Sequence, residues 1–472
     1  MIITPRPVAA LYTEALRPQF HLTARQFTTN RLNPGMRQEG WINDLNGMIY
    51  HEGEWHVFAQ RWAETWLHFV STDLVHWTEL APGFYEQWNG EGMQSGSTVI
   101  DRDNTSGLGV DPRKPPLVAF YPRWNNQEQC LVYSLDRGRT WTRYRHNPVL
   151  AMPERDPKVF WHEPTQRWVM ILHCTEKGKK LPPIDPKDPK RKTGEFVFFT
   201  SPDLKQWKRE GSVIGFAECP DLFPMKIEGT QKTKWIVHGG LGEYFIGDFD
   251  GREFKRTSDL LDGPYGSAYY AGQNYSDMPD GRVVQQGWAK MSDLVFTGMP
   301  FSQMMNIPCE ITLRNTGKGP RLVWQPVREI ETLRAKHHHL ESFALDAQSD
   351  PLKGVQTPFF DLHAIIEPGT ATQIQLMLRG TPFVIDVKKL KLTSGKDSMP
   401  LPVRDGRIDF RLLSDHGLVE IFTDNGFKFG AFPLPPKPEA PIAPQLTALG
   451  GEAKIISLEV HELKSVWPIA RR

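Results

Sequence analysis

The chain has 472 residues, among them 39 Gly, 39 Pro and 15 Trp, so Gly and Pro make up about a sixth of it, a turn-rich but folded composition. At roughly 100–200 residues per domain, 39% hydrophobic residues supply more than one core, and two domains are expected. The balance of 56 Lys+Arg against 55 Asp+Glu counts against a nucleic-acid partner, and no run approaches the roughly 20 apolar residues of a membrane span.

Residues 1–37 read as an N-terminal extension. Their start, MIITPRPVAALYTEALRPQF, places two prolines and an arginine where a signal peptide needs an unbroken apolar run, so the protein is expected to be cytoplasmic, or secreted if a leader has been trimmed. Cys130, Cys174, Cys219 and Cys309 are too scattered for a disulfide framework or a metal site and read as free thiols.

Three copies of one pattern follow. Ser71-x-Asp73 leads to Trp77, Ser134-x-Asp136 to Trp141 and Ser201-x-Asp203 to Trp207, the serines 63 and 67 residues apart. Each lies between short β-type runs, which predicts a hairpin whose Asp bonds the turn backbone while the Trp packs beneath it. The period fits propeller blades of four strands. A fourth turn is expected at Gly247-Asp248-Phe249-Asp250-Gly251. Further strands are predicted at residues 56–59, 97–100, 117–121, 158–161, 168–172, 234–238 and 282–286. The Pro/Lys-rich run 181–192 reads as a solvated loop. Val327, Ile330 and Leu333 are spaced three apart, which predicts a linker helix over 327–339. Residues 340–472, with strands at 372–378, 383–387, 407–413 and 418–422, read as a β-sandwich.

Three acids stand apart from the turn aspartates: Asp44 in WINDLNG, Asp156 in ERDP and Glu218 in AECPD. They fall near the starts of blades one, three and four, and a blade's first strand lines the central channel, so they are positioned to converge. A carboxylate pair across a sugar is what glycoside hydrolysis requires. The alternative from spacing alone is that they are turn and capping residues.

WINDLNG is similar to the WMNDPNG signature of glycoside hydrolase family 32, the invertase, inulinase and levanase family. Arg155-Asp156-Pro157 and Glu218-Cys219 resemble its other two signatures, in the same order. WLHFVSTDLVHWTEL, SGSTVID, RDPKVFWHEPTQRWVMIL, PFSQMMNIPCEITLR and SDHGLVEIFTDNG look like further family segments, so the likeness covers roughly residues 17–465. It implies an all-β fold, a five-bladed propeller over 38–326 followed by a sandwich, and a retaining hydrolase of β-D-fructofuranosides such as sucrose, fructo-oligosaccharides, inulin or levan. Asp44 would be the nucleophile, Glu218 the acid/base and Asp156 a stabiliser of the transition state. By the same resemblance Asn43 and Gln60 match positions that bond the fructose or the nucleophile, Ser95 the Ser of the family's Phe-Ser-Gly-Ser segment, and Arg155 the Arg that contacts substrate and acidic partners.

Trp62, Trp66 and Trp288 are candidate walls for a sugar face, with core packing as the alternative. Cys219 is expected to shape the wall behind Glu218 rather than to react. His337–His339 offers side chains that bind metals but reads as a solvated linker after a helix, and no metal or cofactor is expected. The partner is a fructose-containing oligo- or polysaccharide, with no nucleic acid and no membrane; the oligomeric state is left open. The family pattern is broken at Leu45, where a Pro is usual, at Gln94, at Ala268 and in the short stretch 61–66, all expected to border the pocket and to bear on substrate preference. The competing readings are a fructosyltransferase, a non-catalytic fructan-binding propeller and an inverting arabinan hydrolase.

Overall fold

Short runs of β-branched and aromatic residues, punctuated by Gly, Pro, Asn and Asp, have too little length for a single large sheet and instead form many small ones. The structure, a computed structural model, describes residues 12–24, 40–62, 65–85, 92–123, 128–152, 155–174, 181–184, 193–216, 218–292, 295–437 and 439–467. Within these the chain is almost wholly β. Five antiparallel sheets come in chain order. Blade one is Leu45–His51, Glu54–Arg61, Thr65–Ser71 and Trp77–Glu79; blade two is Ser97–Ile100, Leu117–Pro122, Gln129–Ser134 and Thr142–Arg143. Blade three is Arg155–His162, Arg167–Cys174, Gly194–Ser201 and Lys208–Gly215, and blade four is Asp221–Lys226, Thr233–His238, Tyr244–Phe249 and Phe254–Arg256. Blade five is Tyr270–Asn274, Val283–Ala289, Cys309–Thr316 and Gly319–Pro326.

The first strands of the blades are joined in a ring by polar contacts at every seam. Gly96 N donates to Asn46 Oδ1, Val159 N to Ser97 Oγ, Lys158 Nζ pairs with Asp221, Asn274 N donates to Asp221 Oδ2, and Tyr50 N donates to the Ser276 carbonyl to close blade five onto blade one. Gly47 makes the first seam possible: its φ is +51°, and a Cβ there would lie 2.1 Å from Thr98 Oγ1.

The repeated turns have one chemistry. Asp73 Oδ1 accepts from the Val75 and His76 amides, Asp136 Oδ1 from the Thr140 amide, and Asp203 Oδ1 from the Lys205 and Gln206 amides. In each turn the Trp indole N–H caps a turn carbonyl: Leu74, Gly138 and Leu204 respectively. At the fourth turn Asp250 accepts from the Arg252 and Glu253 amides.

The sandwich packs a six-stranded sheet, in the order Arg334–Leu345, Ala453–Leu463, Phe360–Glu367, Ile408–Ser414, Gly417–Thr423, Lys428–Leu434, on a five-stranded one. Leu362, Ile374, Phe383, Phe410, Ile421 and Ile455 fill the space between them. The outer face of the six-stranded sheet docks on blades four and five through Phe422, Phe429 and Ala431.

The helix expected over 327–339 is a correction. Only Arg328–Leu333 forms a helical turn, of the 3-10 type, and Arg334–Leu345 is a strand paired with Ala453–Leu463. The three-residue spacing of Val327, Ile330 and Leu333 suits one such turn, and beyond it cross-strand pairing outweighs local preference. His337–His339 therefore lie in a sheet. Residues 12–24 of the N-terminal extension lace blade five to the sandwich: Phe20 joins the shared core, and the amides of Gln19 and Phe20 donate to Asp415. Residues 1–11 and 25–37 of that extension, and 185–192 of the expected loop, lie outside the described residues.

Candidate active site

Each of the three singled-out acids sits at or just before the start of a first strand, where the blade opens onto one mouth of the ring. Three of the five first strands carry a bulge at this end, between Asn46 and Ile49, Arg155 and Lys158, and Tyr270 and Gln273. A bulge turns side chains out of strict alternation and lets consecutive residues reach one space.

Asp44 is held by its neighbours in sequence and across the hairpin. Gln60 N donates to the Asp44 carbonyl and Asn43 N to the Gln60 carbonyl, both at 2.8 Å. Asn43 Nδ2 donates to Gln60 Oε1 (2.9 Å), while Asn43 Oδ1 accepts from Trp41 Nε1 (3.0 Å) and the Trp62 amide (2.9 Å). Ser95 Oγ lies 2.7 Å from Asp44 Oδ2 and 2.9 Å from Gln60 Oε1. It has one proton to give, and the carboxylate is the stronger acceptor.

Asp156 stands at φ +59° ahead of Pro157, and its Oδ2 accepts from the Cys219 amide at 3.0 Å. Cys219 is itself at φ +50°. Two strained residues thus tie blade three to the loop before blade four and set Glu218 beside Asp156. Glu218 is gripped on both oxygens: Arg155 Nη2 donates to Oε1 at 2.5 Å and the Tyr270 hydroxyl donates to Oε2.

The acids feel one another. Burial raises the Asp44 pKa, the Ser95 hydrogen bond opposes this, and the Glu218 charge raises it further while Lys290 lowers it. Burial also raises Asp156, to about 7; the Cys219 amide opposes, and the charges of Asp44 and Glu218 add to the rise against Arg155. Burial and the same three carboxylates push the Cys219 thiol well above its ordinary value, which leaves it an inert wall. The Tyr270 hydroxyl is raised by burial, Cys219 and Glu218, so it stays protonated and able to donate.

Aromatic rings rim the mouth. Trp62, 40% exposed, stacks on Trp41 with centroids 4.1 Å apart, and Trp288 meets both Trp41 and Tyr270 edge-on at 6.2 Å. Lys290 Nζ lies 5.2 Å from the centre of the Tyr270 ring. Trp66 is fully buried against Phe84 and donates its indole N–H to the Gln94 carbonyl, so it supports the Ser95 loop from beneath and offers no face to a sugar. Trp41, Tyr270 and Lys290 escaped the sequence reading. Trp41 lay inside the WINDLNG motif, whereas nothing in Tyr269-Tyr270 told which ring faces the mouth. Tyr269 turns inward, packing on Phe429 and bonding Gln285.

The departures from the family pattern do not all border the mouth. Leu45 is buried in the core between blades one and five, and Gln94 presents its carbonyl to Trp66. Ala268 is fully buried at the sandwich junction, its amide donating to Ala431, which removes it from the pocket. Residues 63 and 64 of the short stretch lie outside the described residues. Among the described residues the mouth has no group of donor atoms at metal-ligand spacing. A separate cavity of about 740 Å³ lies at the far ends of the inner strands, lined by Lys158, Trp161, Trp235 and Asn274, and contains none of the three acids.

The family model of the N-terminal domain of glycosyl hydrolases family 32 matches residues 36–326. The chain belongs to glycosyl hydrolases family 32. It is a glycoside hydrolase. It is 32% identical to a levanase of Bacillus subtilis over 97% of this chain and 72% of that protein, and 26% identical to an extracellular exo-inulinase of Aspergillus ficuum over 97% and 96%. The crystal structure of an exo-inulinase from Aspergillus awamori covers 97% of this chain and 100% of its own with a TM-score of 0.81 at 24% identity, which supports the propeller-plus-sandwich fold. Membership gives the three acids of this family 32 chain a common setting, since all three lie within the matched span.

Proposed function

We propose that this protein hydrolyses terminal or internal β-D-fructofuranosyl bonds, in sucrose, fructo-oligosaccharides, inulin or levan, with retention of configuration. The observation that carries this reading is the gathering of three carboxylates at one mouth: Ser95 holds Asp44, the Cys219 amide holds Asp156 beside Glu218, and Arg155 reaches both Asp156 and Glu218, which Tyr270 also bonds. The relatives named as levanase and exo-inulinase support the substrate class.

In the first step Asp44 attacks the anomeric carbon of the fructosyl unit while Glu218 donates a proton to the departing oxygen. A covalent fructosyl ester forms and the aglycone leaves. Ser95 Oγ fixes the orientation of the attacking carboxylate, and Asn43 and Gln60 keep Ser95 and the hairpin in place. In the second step Glu218 takes a proton from water, which displaces the ester. Asp156 accepts hydrogen bonds from fructose hydroxyls, strongest as positive charge builds on the ring. The exposed stack of Trp62 on Trp41 gives the apolar face of a sugar its platform. All four cysteines are buried and none forms a disulfide, so the described fold needs no oxidising compartment.

Early-time NMR of the fructose released from sucrose, inulin and levan tests the reading. Retained configuration from wild type, and loss of turnover in Glu218→Gln with the fold intact, are expected; an inverted first product overturns Asp44 as nucleophile. Oligomers of increasing length at high sucrose, in place of free fructose, make the enzyme a transferase.

A further inference from the structure

The His337–His339 run enters the first strand of the sandwich, and sheet register decides what it meets. His337 pairs with His461 and His339 with Glu459 across Arg334–Leu345 and Ala453–Leu463, the last strand of the sandwich. Residues two apart on a strand share a face, so His337, His339, Glu459 and His461 form a two-by-two grid on one side of the sheet. Within the grid the side chains contact one another. Glu459 Oε2 contacts His337 Nε2 and its Oε1 contacts His339 Nδ1, while the His337 and His461 rings stack 4.4 Å apart at 11°. One donor atom each from His337, Glu459 and His461 lies within 4.8 Å of the others.

We propose that His337, Glu459 and His461 bind a divalent transition-metal ion of the zinc class. Two imidazole nitrogens and a carboxylate oxygen are a donor set such ions take in tetrahedral sites. His339, on the other oxygen of Glu459, or water completes the coordination. The neighbouring charged groups are already committed elsewhere: both Arg334 and Arg411 bond Asp361, and His363 bonds Asp409. The grid opens on a cavity of about 440 Å³, which gives the ion an entry path. The bound ion ties the strand that follows the propeller to the strand that ends the sandwich, and so acts on stability rather than on the reaction.

Zn²⁺ titrated calorimetrically into the untagged full-length chain tests this, with thermal unfolding followed in parallel and Co²⁺ absorption as a geometry probe. Saturable one-to-one binding, a rise in Tm with Zn²⁺, and at least about tenfold weaker binding in both His461→Ala and Glu459→Gln are expected. His363→Ala serves as the control and should bind as wild type does. Absence of one-to-one binding, binding unchanged in His461→Ala and Glu459→Gln, or an equal loss in His363→Ala overturns the assignment.

Discussion

The mouth of the propeller and the junction with the sandwich both bury carboxylates, and they treat them in opposite ways. In the mouth, burial and the charge of Glu218 raise Asp44 against Ser95 and Lys290, and burial with the charges of Asp44 and Glu218 raises Asp156 against the Cys219 amide and Arg155. At the junction, His21 sits between Asp415 (2.9 Å) and Glu420 (3.0 Å), all three side chains out of contact with solvent. Burial alone would lower the His21 pKa, but hydrogen bonds and charge from the two acids lift it to about 9. Burial would raise Asp415, and His21 holds it below its ordinary value instead. One region concentrates like charge at a cost in stability, as the proposed reaction requires; the other pairs each acid with a cation whose removal would leave buried charge uncompensated.

The comparison predicts a double dissociation. Asp44→Asn should lower kcat/KM on the order of ten-thousand-fold while leaving folding unchanged or stabilised by about 1–2 kcal/mol, because it removes a crowded charge. Steady-state rates with urea unfolding of the same preparation measure both. Destabilisation by several kcal/mol would mean that the mouth, too, is held together by its charges. His21→Leu should do the reverse. It strands Asp415 and Glu420 without their cation, with an expected loss of about 3–5 kcal/mol in unfolding free energy. At temperatures where the variant remains folded, its kcat/KM should stay within a few-fold of wild type.

What was legible in the sequence follows the distance over which each feature is made. The Ser-x-Asp turns close within eight residues, so the Asp hydrogen bonds to the turn backbone were readable from the motif alone, whereas the indole caps were not. The His21 triad joins residues nearly 400 apart and left no local sign. For Trp66 the sequence left wall and core packing open, because every residue of Thr65–Ser71 is buried. Neighbouring blades cover both faces of the strand, so alternation says nothing about which ring meets solvent. Tyr270 faces the mouth because of a bulge at Ala271, φ +48°, which residue types do not announce. The same holds for the strand that replaced the expected helix. Its partner lies more than a hundred residues downstream, beyond any window that periodicity can scan.

Solution pH should separate the two regions without chemistry. Asp156 has a folded pKa near 7 against an ordinary 3.8, so its contribution is fully present below about pH 3.8 and lost as pH rises through 7. His21 has a folded pKa near 9 against 6.5, so its contribution is present below pH 6.5 and lost as pH rises through 9. Urea midpoints from pH 5 to 9 should therefore fall in two stages, the second worth about 3 kcal/mol. Asp156→Asn should shrink only the lower stage, to which the raised Asp44 also contributes, and His21→Leu should flatten only the upper one; an effect of either variant on both stages would couple the regions.

The smallest expected effect lies at the rim. Trp62 is exposed and stacks on Trp41, so on the proposed reading Trp62→Ala removes a sugar platform used in the ground and transition states alike. It should raise KM by about tenfold, near 1.4 kcal/mol, with kcat little changed. Trp66→Phe offers the contrast: it keeps the buried ring but deletes the indole N–H that holds the Gln94 carbonyl, and hence the loop carrying Ser95. Its loss should appear in kcat, because Ser95 orients Asp44. A KM effect from Trp66→Phe equal to that of Trp62→Ala would return Trp66 to the substrate wall.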